Sequence, residues 1–286
     1  MTENRELSHL PPLREVIKAQ RLSARESLGQ NFILDLNITE RIASVAGPIS
    51  TKTILEIGPG PGGLTRSLLK AGASTVVAVE HDTRCISALK EIKDIVGERL
   101  IILNANALNL DLKLLTEKHG PLRVIANLPY NISTRLLLVW LKNIELFDGF
   151  ILMFQKEVAD RLTALPGSKS YGRLSVAAQW RCETRALFTL PPTVFVPPPK
   201  VYSTLVELIP RPNMLHDAEP AILEAVVYTA FSQRRKMMRS SLKSIFSNPE
   251  EALLAAEIPP TARAETVSIR QFCALARILA RQKSES

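Results

Sequence analysis

The sequence predicts an α/β protein: a doubly wound sheet with a smaller, all-helical carboxy-terminal domain. Two observations carry that reading. Apolar, β-branched runs at 53–57, 75–80, 100–104, 122–126 and 149–154 read as strands buried on both faces, which implies a parallel sheet. Segments of helical period at 62–70, 83–95, 112–119 and 133–141 fall between them, and alternating β and α elements build a sheet covered by helices on both sides. Beyond Phe188 the texture changes to Pro191-Pro192, Pro197-Pro198-Pro199, a strand-like 203–209 and Pro210-Arg211-Pro212. Prolines at that density mark an extended loop and a domain edge. From Asn213 onward the pattern is helical, at 220–231, through a basic stretch to 245, at 249–257 and at 267–281. The expected partition is an amino-terminal extension at 1–26, a sheet domain at 27–210 and a helical domain at 211–286.

The chain has 286 residues, enough for a large domain and a smaller one without covalent staples. Cys85, Cys182 and Cys273 are far apart among apolar neighbours and read as core or half-buried thiols. The four histidines are scattered and no metal-ligand spacing occurs, so a metal-independent protein is expected. The amino terminus carries Glu3, Arg5 and Glu6 in place of a signal-peptide apolar run, and no segment has the length of a membrane span. A cytoplasmic protein without membrane association is expected. The 36 Lys and Arg against 28 Asp and Glu give a net charge of +8, which favours a polyanionic partner.

The first strand ends in Glu56-Ile57-Gly58-Pro59-Gly60-Pro61-Gly62-Gly63 and opens into a helix. Gly58, Gly60 and Gly63 satisfy a G-x-G-x-x-G pattern in its strand-turn-helix setting, where glycine lets backbone approach a ligand closely. The second strand ends at Glu80, about 20 residues on, where a carboxylate can accept from both hydroxyls of a ribose. Loop and acid together imply an adenosine-type cofactor. An acid two residues before the first glycine and prolines inside the loop resemble the first motif of S-adenosylmethionine-dependent methyltransferases more than a dinucleotide fingerprint. The Glu56 carboxylate suits the positively charged methionine end of that cofactor and would repel a pyrophosphate. The third strand ends at Asn104-Ala105-Asn106, and Asn106 stands where such methyltransferases usually offer an Asp to the adenine amino group. Its amide oxygen is expected to accept that hydrogen bond more weakly, without a charge.

The fourth strand is followed by Asn127-Leu128-Pro129-Tyr130. The Asn127 side-chain oxygen and the Leu128 carbonyl, ahead of a proline, can accept both hydrogens of an exocyclic amino group. Tyr130 offers an aromatic face to the base. Two such bonds pull an adenine N6 toward tetrahedral geometry and localise its lone pair for in-line attack on a methyl group. A base inside a helix cannot reach such a pocket, so the substrate is flipped or unpaired. The proline-rich segment Phe195 to Ser203 is expected to carry Phe195 over the pocket as a second stacking face.

Four segments together resemble one family. Ser27-Leu28-Gly29-Gln30-Asn31-Phe32 with Asp35, the glycine loop, Asn127 to Ser133, and Phe195 to Ser203 are similar to the ribosomal RNA adenine N6-dimethyltransferases of the KsgA/RsmA type. Lys156 to Arg161 and Tyr171 to Ser175 extend the likeness. The resemblance implies a Rossmann-like methyltransferase fold that uses S-adenosylmethionine to dimethylate two adjacent adenosines in a hairpin loop near the 3′ end of 16S rRNA. It implies action within the assembling small ribosomal subunit, as a monomer. It also implies that Asn31 and the backbone of Ile33 line the cofactor site with Gly58, Glu80, Asn106 and Asn127. Asn106 is the one departure from the family pattern.

Arg234, Arg235, Lys236, Arg239 and Lys243 lie in a window without acids. On a continuous helix Arg235, Arg239 and Lys243 would share a face and form a stripe for RNA phosphates. Two other functions fit parts of this pattern: a 23S rRNA adenine methylase, which shares the clamp, and a non-catalytic assembly factor that binds S-adenosylmethionine. An intact Asn127 and Tyr130 speak against the second.

Overall fold

The computed structural model describes residues 7–22, 24–25 and 28–284. Glu3, Arg5, Glu6 and Ser27 lie outside the described residues. The strands are β1 (Phe32–Ile33), β2 (Thr53–Ile57), β3 (Thr75–Glu80), β4 (Leu100–Asn104), β5 (Leu122–Ala126), β6 (Phe147–Gln155), β7 (Cys182–Leu190), β8 (Phe195–Val196) and β9 (Ser203–Pro210). The five predicted strands form as β2 to β6. The predicted helices form at Gly63–Lys70, Thr83–Val96, Leu112–His119 and Ser133–Lys142, within one residue of their expected limits.

Seven strands make one sheet in the order β4-β3-β2-β5-β6-β9-β7. Strands β4 to β6 pair in parallel with β2 at the centre, and every residue of β2 is buried. The sheet is mixed and not purely parallel. β9 runs antiparallel to β6, from Phe150 opposite Leu208 to Gln155 opposite Ser203. The run order reverses at β2, so the loops after β2 and β5 leave neighbouring strands in opposite chain directions of winding, and a crevice opens between their carboxyl ends. A second, two-stranded sheet pairs β1 with β8, Phe32 opposite Val196 and Ile33 opposite Phe195.

Two compact units divide the chain: residues up to Ala159 together with Arg185–Pro210, and Asp160–Thr184 together with residues from Arg211 onward. One segment of the first unit ends at Pro210. The segment 160–184, assigned from sequence to the sheet domain, belongs instead to the helical unit. Its Ala164, Tyr171, Val176 and Trp180 join one apolar core with Ile222, Val226, Phe272 and Leu275, and the Trp180 indole donates to the His216 carbonyl at 2.8 Å. Residues of the expected amino-terminal extension are likewise not separate. Leu7 packs into the apolar core over the sheet, and Val16 and Leu22 pack with Phe32, Cys85 and Ala88.

The basic stretch does not form the expected helix. Pro220–Ser232 ends before it, and only the single turn Met238–Ser241 and the 3-10 turn Leu242–Ser244 follow. The stripe at spacing four therefore does not exist. All three cysteines are free and buried, and burial pushes the Cys85 and Cys182 thiols up to about 12.

Candidate functional site

A cavity of about 290 Å³ lies at the carboxyl ends of β2 to β5, where sheets of this winding hold ligands. Asn31, Ile33, Glu56, Gly58, Glu80, Asn106, Asn127, Leu128 and Pro129 all line it. Gly60, Tyr130 and Phe195 are the members of the expected set that do not.

The glycine loop is shaped by what crowds it. Gly60 has φ 56°, and a Cβ there would stand 2.7 Å from the Phe32 ring. Gly58 has φ 68°, and a Cβ would stand 3.3 Å from the Pro129 ring, so the loop and the tetrapeptide after β5 meet at van der Waals distance. Both positions need a residue that adopts the left-handed region and has no side chain. The Gly60 amide donates to Glu80 Oε2 at 3.0 Å, and the Asp82 amide donates to Oε1 at 2.7 Å. The carboxylate lines the cavity. Burial pushes the Glu80 carboxyl up, against backbone amide bonds from Asp82, Gly60 and His81.

Glu56 is fully buried, and Thr65 Oγ1 donates to its Oε2 at 2.7 Å. Burial pushes its carboxyl from an ordinary 4.5 to about 8, opposed by the Thr65 bond and reinforced by Glu80. A cation placed in the cavity offsets that cost, because it favours the ionised form. The expected role of Glu56 opposite a positively charged ligand group is consistent with this environment.

Asn127 is the most decisive side chain. Its Nδ2 donates to the Asn31 carbonyl at 2.8 Å, which fixes the amide orientation. Its Oδ1 is buried and has no partner among the described residues. Such an orphan acceptor costs roughly 1–3 kcal/mol until something donates to it. An amino group entering the cavity does so. Tyr130 follows outside the cavity lining, with its hydroxyl bonded to the Ser203 hydroxyl, which fixes the ring from its far end. Burial pushes its phenol up.

One expectation is corrected. Phe195 is 1% exposed and packs in the same apolar core as Leu7 and Ile33, so it presents no stacking face in this structure. Its pairing with Ile33 through the β1–β8 ladder holds it there, and the exposed ring of this segment is Tyr202. The Asn106 oxygen already accepts one bond and keeps a second lone pair. The Leu108 amide donates to Asn106 Oδ1 at 3.0 Å and caps the turn Ala107–Asn109.

Sequence reasoning missed how the Leu28 to Phe32 segment is held. Gln30 Nε2 donates to Asp82 Oδ2 at 3.1 Å, and Arg84 grips the same carboxylate. Those bonds hold the Asp82 carboxyl down at about 2. The signal was an acid two residues beyond Glu80, but a polar loop partner 52 residues away leaves no local pattern.

The basic residues of the helical unit are not equivalent. Arg234 donates to the Lys169 carbonyl and pairs with Glu265 at 3.5 Å, and Arg239 pairs with Glu250 at 3.2 Å. The acids come from outside the acid-free window, which is why the sequence looked uncompensated. Arg235, Lys236 and Lys243 are exposed, without an ion-pair partner among the described residues.

With this geometry in place, the family described as ribosomal RNA adenine dimethylase matches residues 21–281. The chain belongs to this family. Membership makes it a ribosomal RNA methyltransferase dependent on S-adenosylmethionine. A ribosomal RNA small subunit methyltransferase A of Rhodospirillum rubrum is 55% identical over 94% of this chain and 92% of its own. Among solved structures, a dimethyladenosine transferase from Plasmodium falciparum has a TM-score of 0.72 at 25% identity, covering 87% of this chain and 97% of that one. The 23S rRNA methyltransferase ErmE has a TM-score of 0.66 at 26% identity, covering 87% of this chain and 100% of that one. No helix among the described residues of this dimethylase is long and apolar enough to cross a membrane.

Proposed function

We propose that this dimethylase converts two adjacent adenosines, in a hairpin loop near the 3′ end of 16S rRNA, to N6,N6-dimethyladenosine. It acts in the cytoplasm as a monomer, on the assembling small ribosomal subunit. The observation that carries the chemistry is the buried Asn127 Oδ1, an acceptor in the cavity lining without a donor among the described residues.

The residues present fit S-adenosylmethionine. Gly58 and Gly60 leave room for close approach, Glu80 offers lone pairs to ribose hydroxyls, and Glu56 is a buried acid awaiting a cation. Asn31 and Ile33 close the cavity on another side. When bound, S-adenosylmethionine supplies an electrophilic methyl group on a positively charged sulfur. Asn127 and the Leu128 carbonyl accept the two N6 protons of a flipped adenine and turn the nitrogen lone pair toward that methyl. Tyr130, tethered through Ser203, supports the base from one face. The methylated nitrogen then sheds a proton to water, so the site needs no strong base.

The small-subunit target is favoured over a 23S target because the small-subunit relative is 55% identical and the 23S enzyme 26%. Arg235, Lys236 and Lys243 are the residues left to meet RNA phosphates. Mass spectrometry of rRNA from cells lacking the gene tests the assignment. Dimethyladenosine is expected to disappear from that one loop and to return with the wild-type gene; an unchanged loop overturns the proposal.

A further inference from the structure

The segment ahead of the family match packs against residues that shape the cavity. Leu13–Ala19 forms a short helix, and the matched residues begin only at 21. Its buried residues are Leu13 and Val16, three apart and so on one face. Gly63 opens the helix Gly63–Lys70 and lines the cavity. A Cβ there would stand 2.8 Å from Leu13 Cδ1 and 3.1 Å from the Ile33 carbonyl oxygen, so the missing side chain lets the amino-terminal helix, β1 and the glycine loop meet. Val16 and Leu22 share an apolar cluster with Phe32, whose ring is the group that Gly60 leaves room for. The Gly60 amide in turn donates to Glu80. Two lines of contact thus reach the cavity wall, one from Leu13 to Gly63 and one from Val16 through Phe32 to Gly60.

Polar ties hold both ends of this segment. Arg66 Nη1 donates to the Pro11 carbonyl at 2.8 Å, and Gln20 Nε2 donates to Glu91 Oε1 at 3.1 Å. Arg66 is itself buried, and its Nε and Nη2 have no hydrogen-bond partner among the described residues. Burial pushes its guanidinium down from the ordinary arginine range, opposed by Glu91. A buried cation with unmet donors costs free energy. That cost works against the apolar contacts of Leu13 and Val16, and leaves the docked segment sensitive to the shape of the loop it rests on.

We propose that residues 11–22 form a strap whose docking and cofactor binding favour each other, with Leu13 and Val16 as positioning residues for the glycine loop. This rests on the reading that the cavity holds S-adenosylmethionine. Such coupling is reciprocal: the docked strap raises cofactor affinity by the same factor by which the cofactor holds the strap down. Neither Leu13 nor Val16 lines the cavity, so the strap acts on cofactor affinity and leaves methyl transfer from the bound cofactor unchanged.

Hydrogen exchange of peptides spanning 13–22 and calorimetric binding of S-adenosylhomocysteine test this on the full chain. In wild type, saturating S-adenosylhomocysteine is expected to slow exchange of the Gln20 and Leu22 amides, which donate to the Val16 and Ile17 carbonyls at 2.9 and 2.8 Å. Leu13→Ala combined with Val16→Ala is expected to weaken S-adenosylhomocysteine binding by roughly tenfold, inside the usual range of coupling between two sites. The same variant should raise the KM for S-adenosylmethionine while kcat at saturating cofactor stays near that of wild type. Leu13→Met combined with Val16→Ile keeps the apolar contacts and should bind within a few-fold of wild type. Exchange at 13–22 that ignores the bound ligand overturns the coupling, even where the double alanine variant fails to fold. Unchanged affinity in a folded double alanine variant overturns it as well, and leaves the cavity as the cofactor site. Failure of wild type to bind S-adenosylhomocysteine overturns the cofactor site itself, and this proposal with it.

Discussion

Asn127 and the basic stretch Arg234 to Lys243 are both polar regions assigned to RNA, and their surroundings differ. The Asn127 amide nitrogen is held by the Asn31 carbonyl, while its oxygen is sealed from water without a partner among the described residues. In the basic stretch, Arg234 and Arg239 are exposed yet occupied by Glu265 and Glu250, and the remaining cations point into solvent. The first region stores an unmet hydrogen bond in a fixed direction, which suits one atom of one substrate. The second stores charge with little direction, which suits a phosphate backbone. Chemistry and affinity are therefore expected to separate under mutation.

The largest effect is expected at the clamp. Asn127→Ala removes the buried acceptor, and methyl transfer to under-methylated small subunits should fall by about 10²–10³-fold or more, on the scale seen when one preorganised hydrogen bond is lost. S-adenosylhomocysteine affinity, measured by calorimetry, should change far less. Turnover near that of wild type would remove the basis for treating Asn127 as the residue that orients N6.

A second large effect belongs to the loop beneath it. Gly60→Val combines a left-handed φ of 56° with a Cβ 2.7 Å from the Phe32 ring. It should abolish measurable cofactor binding while methylation-independent binding to small subunits persists. Cofactor affinity within a few-fold of wild type would mean that the loop can move away from Phe32 at little cost.

Glu56 gives an effect of intermediate size with a defined sign. Its carboxyl stands at about 8 in the folded chain against an ordinary 4.5. Between those values the folded state holds a proton that the unfolded state has released, so stability falls as pH rises across the window. Glu56→Gln should flatten that fall in thermal melts taken from about pH 5 to about pH 8.5. A slope that is unchanged in the variant assigns the pH dependence to another group, with Glu80 the nearest candidate.

Much of the sheet was legible in the sequence because buried parallel strands are uniformly apolar, and because glycine and proline at 58–63 and 127–130 act on their own backbone. Glu56, Gly58, Glu80, Asn106 and Asn127 to Pro129 followed from those same local constraints, applied at strand ends, whereas Asn31 and Ile33 came only from the family resemblance. What failed was whatever depended on distant partners. Phe195 looked presentable in a proline loop, but its burial is decided by the β1–β8 ladder. The segment 160–184 carried no boundary signal, since its allegiance is set by packing of Tyr171 and Trp180 against helices from residue 218 onward.

The smallest effects distinguish cations within the basic stretch. Arg235→Glu and Lys236→Glu remove side chains that are exposed and unpaired, and each should weaken small-subunit binding and lower the slope of log affinity against log salt by roughly 0.7–0.9 per lost phosphate contact. Arg239→Glu faces Glu250 and should alter that slope less, while Arg234→Ala should act mainly on stability through its lost bonds to Lys169 and Glu265. The order is what matters. If Arg234 and Arg239 change the salt slope as much as Arg235 and Lys236, their ion pairs open when RNA arrives, and the occupied cations belong to the binding surface as fully as the free ones.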